Sequence, residues 1–142
     1  MKKWIHQAGG MALAVVLVFS PVGAQDTKTP TIKEVMKKLN AGPNSMTANL
    51  GKDLDEDKPD WEDIQKETKE FVTFTTALGK NKPPMGNADH WGKLTKEYLE
   101  NAKALDAAAD KKDKAAAMAA HKKLAAPTFC KSCHDEHKKK EK

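Results

Sequence analysis

Apolar residues recur at steps of three and four along four stretches of this chain, and turn-forming residues punctuate the gaps between them. That period belongs to helices with one buried stripe, and no alternating strand pattern accompanies it. The first stretch carries Ile32, Val35, Met36 and Leu39 behind Thr31, with Glu34 three residues on, the pattern of a capping box. Gly42-Pro43 interrupts it, because proline lacks an amide hydrogen and restricts its predecessor. Met46, Leu50 and Leu54 resume the stripe, so the first helix is kinked or split in two. An acidic linker, Asp53 to Pro59, leads to Asp60 as the next cap, followed by Trp61, Ile64, Thr68, Phe71, Thr75 and Leu78 on one face, with Gly79 as the stop. After a loop containing Pro83-Pro84, Asn87 or Asp89 caps a third helix bearing Trp91, Leu94, Tyr98, Ala102 and Leu105. A turn between Asp110 and Asp113 opens an alanine-rich fourth helix, which Pro127 kinks or restarts. The aromatics Trp61, Phe71, Phe74, Trp91 and Tyr98 read by default as core. A chain of 142 residues fits one domain. The predicted fold is all-α, an antiparallel four-helix bundle over residues 25–142.

Residues 1–24 read as a signal peptide outside that domain. Lys2 and Lys3 precede the apolar run Met11 to Phe19, Ser20-Pro21 breaks it, and Val22 and Ala24 are the small residues a signal peptidase reads. The run is about half of what spans a bilayer, so the predicted mature protein is periplasmic, with no stable membrane insertion after cleavage.

Charge excludes one class of partner. Without Lys2 and Lys3 the 25 basic residues fall by two against 20 acids, every one of them is lysine, and the two signs alternate along the chain. Nucleic-acid binding calls for a basic stripe with arginine forks and stacking aromatics, so no nucleic-acid partner is expected. The basic run Lys138-Lys139-Lys140 reads as a solvated tail. His90 and His137 read as surface residues. His121 precedes Pro127 on the same helix and is poorly placed to serve as a ligand there.

The two cysteines, Cys130 and Cys133, stand too close together to tie distant parts of an exported chain. With His134 they form Cys130-Lys131-Ser132-Cys133-His134, the attachment signature of c-type haem. The two thiols add across two porphyrin vinyl groups to give thioethers, and positions three apart on a helix share the face this needs. The next residue, His134, is then carried beneath the iron as proximal axial ligand. A redox dithiol would open a helix beside a strand, and zinc would need about four ligands in a spacing that His134 and His137 do not supply.

With the signature in the last helix of an exported four-helix chain, the sequence resembles the class II c-type cytochromes, cytochrome c′ and its low-spin relatives. The resemblance implies one covalent haem c on the C-terminal helix, held by Cys130 and Cys133, with His134 on the iron. In the low-spin branch a first-helix methionine is the second ligand, and Met36 matches it, either bonding iron or lining the distal pocket; Met46 lies beyond the Gly42-Pro43 break. The chain departs from the family in having no arginine, so a lysine such as Lys138 stands in near the propionates. The implied function is one-electron transfer with redox partner proteins. The alternative is a five-coordinate protein binding nitric oxide or carbon monoxide at an open distal site. Pairing into a homodimer is compatible with either. No nucleophile triad, phosphate loop or carboxylate pair marks an enzyme.

Overall fold

A computed structural model describes residues 28–139, and the proposed signal segment 1–24 lies outside the described residues. The described chain is all-helical. Six helices follow in order: α1 (Ile32–Asn40), α2 (Met46–Asp55), α3 (Trp61–Lys80), α4 (Ala88–Asp110), α5 (Lys114–Leu124) and α6 (Pro127–His137). None of them is long and apolar enough to cross a membrane.

Each start has a local cause. Thr31 and Glu34 form the reciprocal capping box, with the Thr31 amide donating to Glu34 Oε2 at 2.7 Å. The break between α1 and α2 is complete: Gly42 turns the chain with φ +82, and Ser45 caps the new helix. Asp60 accepts from the amides of Glu62 and Asp63, and Asn87, not Asp89, accepts from those of Asp89 and His90. Lys112 takes a left-handed φ of 55 in the turn before α5, which Asp113 caps. Pro127 restarts the last helix at its first position, where its missing amide hydrogen costs nothing. The acidic linker is shorter than its composition suggests, because α2 continues through Asp55 to bury Leu54.

Cross-links between helices fix their directions. Thr68 Oγ1 donates to Asp106 at 2.7 Å, joining the first half of α3 to the last turns of α4, and the Trp91 indole donates to the Asn81 carbonyl at 2.9 Å where α3 ends and α4 begins. The pair therefore runs antiparallel. Along α1 and α3, Lys38 meets Glu70 at 3.1 Å while the Asn81 side chain reaches back to the Pro30 carbonyl at 3.0 Å, again antiparallel. On the other side α2 runs against α5, with His121 Nε2 2.7 Å from the Thr47 carbonyl oxygen and Lys114 donating to the Glu56 carbonyl at 2.6 Å. A Cβ on Gly51 would stand 2.9 Å from the His121 ring, so the close approach of α2 to α5 requires glycine there. His121 is thereby occupied structurally.

The core gathers Val35, Leu39, Leu50, Leu54, Ile64, Phe71, Leu105 and Leu124, all at most 1% exposed. Burial of each such side chain stabilises the fold by about 1.5–3 kcal/mol. Of the aromatics expected in the core, Phe71, Trp91 and Tyr98 are buried, whereas Trp61 and Phe74 pack only partly against it.

Candidate functional site

The five-residue signature lies wholly within α6, so its side chains are placed by helical geometry alone. Cys130, Cys133, His134 and His137 fall at intervals of three and four, which puts them along one side of the helix. Cys133 packs against the core and Cys130 is half-buried beside it, both as free thiols. Burial, and then the neighbouring Cys130 sulfur, push the Cys133 thiol above its ordinary range. His134 is exposed, and its carbonyl oxygen accepts from the Lys138 amide at the helix end. Lys131 and Asp135 pair on the solvent side one turn apart.

Across the interior from α6 stands Tyr98 of α4. Its ring stacks on Phe129 with centroids 5.5 Å apart and planes inclined by 14°. Its hydroxyl meets the Asn40 side chain, whose amide nitrogen lies 3.1 Å from it. The same nitrogen approaches the Met36 sulfur at 3.7 Å. Met36, Asn40, Tyr98 and Phe129 thus form a continuous path from the end of α1 to the residue that precedes Cys130. Burial is the main cause that pushes the Tyr98 phenol up to about 12, partly offset by the Asn40 hydrogen bond and reinforced by the two cysteines. Tyr98 therefore remains a neutral hydroxyl at any physiological pH. Met46 is buried at the start of α2 and takes no part in this path.

A cleft of about 490 Å³ opens on the flank of this arrangement, between α4 and the start of α6, lined by Leu94, Glu97, Asn101, Lys123 and Phe129 among others. The cysteines do not line it.

One expectation is overturned. His137 is 2% exposed, and its partner His90 is only partly so. The two rings lie 5.2 Å apart and His137 also stands edge-on to Trp91 at 5.3 Å, so packing of α6 against the start of α4 draws His137 inward and leaves His90 at the rim. Their spacing held a usable signal for half of this: His137 is seven residues beyond Cys130, on the same helical face. The other half, the approach of His90, depends on how α4 and α6 cross. Tyr98 was legible as a core aromatic but not as the link between Met36 and the cysteine segment.

No protein-family model, curated protein or solved structure matches this chain.

The donor set fits a covalently attached haem in kind. Two thiols and a following imidazole share one side of a helix, and a thioether stands at the far end of the Tyr98 path. Between them the space is filled by the stacked rings of Tyr98 and Phe129, so a porphyrin seated there would have to displace or lie against that pair.

Proposed function

We propose that this protein is a periplasmic c-type cytochrome, with one haem c joined to α6 through Cys130 and Cys133 and with His134 as the proximal ligand. The observation that carries the reading is the complete signature on one side of a single uninterrupted helix, with Cys133 turned to the core. The fold reading goes with it: α1 with α2, α3, α4, and α5 with α6 act as the four rods of an antiparallel bundle of the class II type, its last rod bearing the haem. The antiparallel directions of these segments support that reading.

When bound, the haem would supply an iron that passes one electron at a time. The chain's residues do the rest. Cys130 and Cys133 would fasten the ring, and His134, the residue directly after Cys133, would offer its imidazole. Tyr98 and Phe129 present apolar ring faces and keep water from the interior, which bears on the reduction potential. Met36 either completes the coordination as a soft thioether or lines the distal side. Redox partner proteins would meet the exposed edge, where mixed lysine and acid charges give only weak steering.

A second reading, binding of nitric oxide or carbon monoxide at an open sixth position, is favoured by one observation. The Asn40 side-chain amide lies 3.7 Å from the Met36 sulfur, and a hydrogen bond there would compete with iron for the thioether lone pairs.

Absorption spectra of the oxidised and reduced protein, with and without carbon monoxide, decide between them. A low-spin ferric form with a methionine-to-iron charge-transfer band, lost in Met36→Ala, supports the electron carrier. High-spin ferric haem, together with ready carbon monoxide binding by the reduced form, supports the gas-binding mode. A colourless product with no added mass, from a host competent in haem attachment, would sink both.

A further inference from the structure

A second cluster of ligand-type side chains lies at the other end of α6, and nothing in the haem reading uses it. His90 of α4, and Glu136 and His137 of α6, bring their donor atoms within 4.8 Å of one another. His90 Nδ1 stands 3.1 Å from His137 Nε2 and 2.7 Å from Glu136 Oε2, and His137 Nε2 stands 3.9 Å from Glu136 Oε1. Donors bonded to zinc at its usual distances in a tetrahedron are themselves about 3.3 Å apart. The two separations from His90 Nδ1, to His137 Nε2 and to Glu136 Oε2, lie just below that value, and the other carboxylate oxygen, Oε1, is the one nearest His137 at 3.9 Å.

His137 Nδ1 lies 3.0 Å from the Met85 carbonyl oxygen, which can only accept, so that nitrogen carries the ring hydrogen. In the neutral ring Nε2 is then a bare lone pair, and it points at His90. The Glu136 carboxylate is a second acceptor at the same place. A single hydrogen, on His90 Nδ1, faces both. The arrangement thus aims more lone pairs at one point than there are hydrogens to fill it, which is what a cation resolves. Binding a cation requires only that the His90 hydrogen move from Nδ1 to Nε2, with no net change in ring charge.

The surroundings are built to hold these groups still. The Met85 carbonyl on the far nitrogen of His137 is the outer partner that fixes tautomer and ring direction in histidine metal sites. The Asn87 amide donates to Glu136 Oε1 at 3.1 Å and orients the carboxylate. Gly86 lies at φ +82, and a Cβ there would come within 2.7 Å of His137 Nδ1 and 2.8 Å of the Glu136 carbonyl oxygen. His137 is 2% exposed, while Glu136 and His90 are each 39% exposed, so the cluster has a buried floor and a side open to water.

We propose that His90, Glu136 and His137 form a binding site for a divalent transition-metal ion of the zinc type, with water in the remaining position. Two imidazoles and one carboxylate make a borderline-hard set that suits zinc over magnesium or calcium. The ion would join the start of α4 to the end of α6.

The test adds zinc chloride to the purified protein, whatever its haem content, and measures binding by calorimetry and by metal analysis after dialysis. One zinc per chain is expected, with X-ray absorption giving nitrogen and oxygen neighbours only. His90→Gln and Glu136→Gln change partly exposed residues and should each weaken binding by roughly 100-fold or more, beyond what loss of a supporting partner costs at a metal site. Gly86→Ala should weaken it by about 10-fold through the displaced His137 ring. His121→Gln should leave it unchanged. Circular dichroism checks that each variant keeps its helices. No stoichiometric binding at micromolar zinc, binding that survives both His90→Gln and Glu136→Gln, or sulfur neighbours from Cys130 and Cys133 would each overturn the site. The readout is independent of the haem spectrum, so either reading can fail alone.

Discussion

The α3–α4 pair and the α6 segment are held in place by different means. Helix α3 buries six of its residues and α4 seven, and polar bonds from Gln65, Thr68 and Lys69 lock the two together along one end. Helix α6 buries His137 alone, begins without a side-chain cap, and rests on α4 through the Tyr98–Phe129 stack and the histidine cluster. Apolar burial suffices for the first region. In the second the contacts are aromatic and polar, and the segment with the chemistry-bearing side chains is the one that gains least from the core. A helix so placed is the natural element to be secured by something bound, and both proposals put a bound group there.

That contrast can be broken by mutation. Phe71→Ala removes a ring 1% exposed at the centre of α3 and is expected to cost about 3–5 kcal/mol, unfolding the whole molecule in a denaturant titration. Phe129→Ala strikes the α6 side. Its expected cost is about 1–2 kcal/mol, the value of an aromatic pair plus partial burial. Hydrogen exchange should then quicken in α6 while α3 and α4 keep their protection. Equal quickening in all three would show that α6 is as firmly integrated as the central pair.

The smallest effect tests whether α3 carries a polar flaw. Glu67 has one carboxylate oxygen shielded from water and without a hydrogen-bond partner. Burial first, and then Asp53, Glu70 and Asp63, raise its carboxyl above the ordinary range. A folded-state value above the unfolded one means the native protein holds this proton more tightly. The folded state is therefore favoured at low pH, and that advantage disappears as pH rises from the unfolded value through the raised one. Glu67→Gln should stabilise the protein at neutral pH by about 0.5 kcal/mol, a figure kept small because the rest of the group is in contact with water. Thermal melts should show the gain at pH 7 and lose it in acid. A gain that persists unchanged in acid would place the cause in packing.

Much of the helical layout was legible because its causes are local. Thr31 with Glu34, Asp60, Asn87 and Pro127 act on amides within a turn of themselves, and the apolar period marks which side of each segment is buried. The break at Gly42-Pro43 followed from backbone chemistry, although whether it would kink or divide the helix depended on Ser45 capping a new one. The acidic linker starts later than Asp53, because Leu54, the last residue of the stripe, is buried and keeps α2 helical through Asp55.

From the sequence by itself came the helical class, the starts of the segments and the contiguous set Cys130, Cys133 and His134. Each rests on interactions between residues within a few positions of one another. Only the tertiary structure decided that Tyr98 links Asn40 to Phe129, that Gly51 must admit His121, and that His137 is buried against His90. Those pairs are far apart along the chain, and they meet because whole helices pack at particular depths and directions. That outcome depends on the shapes of many side chains at once, and no local pattern encodes it.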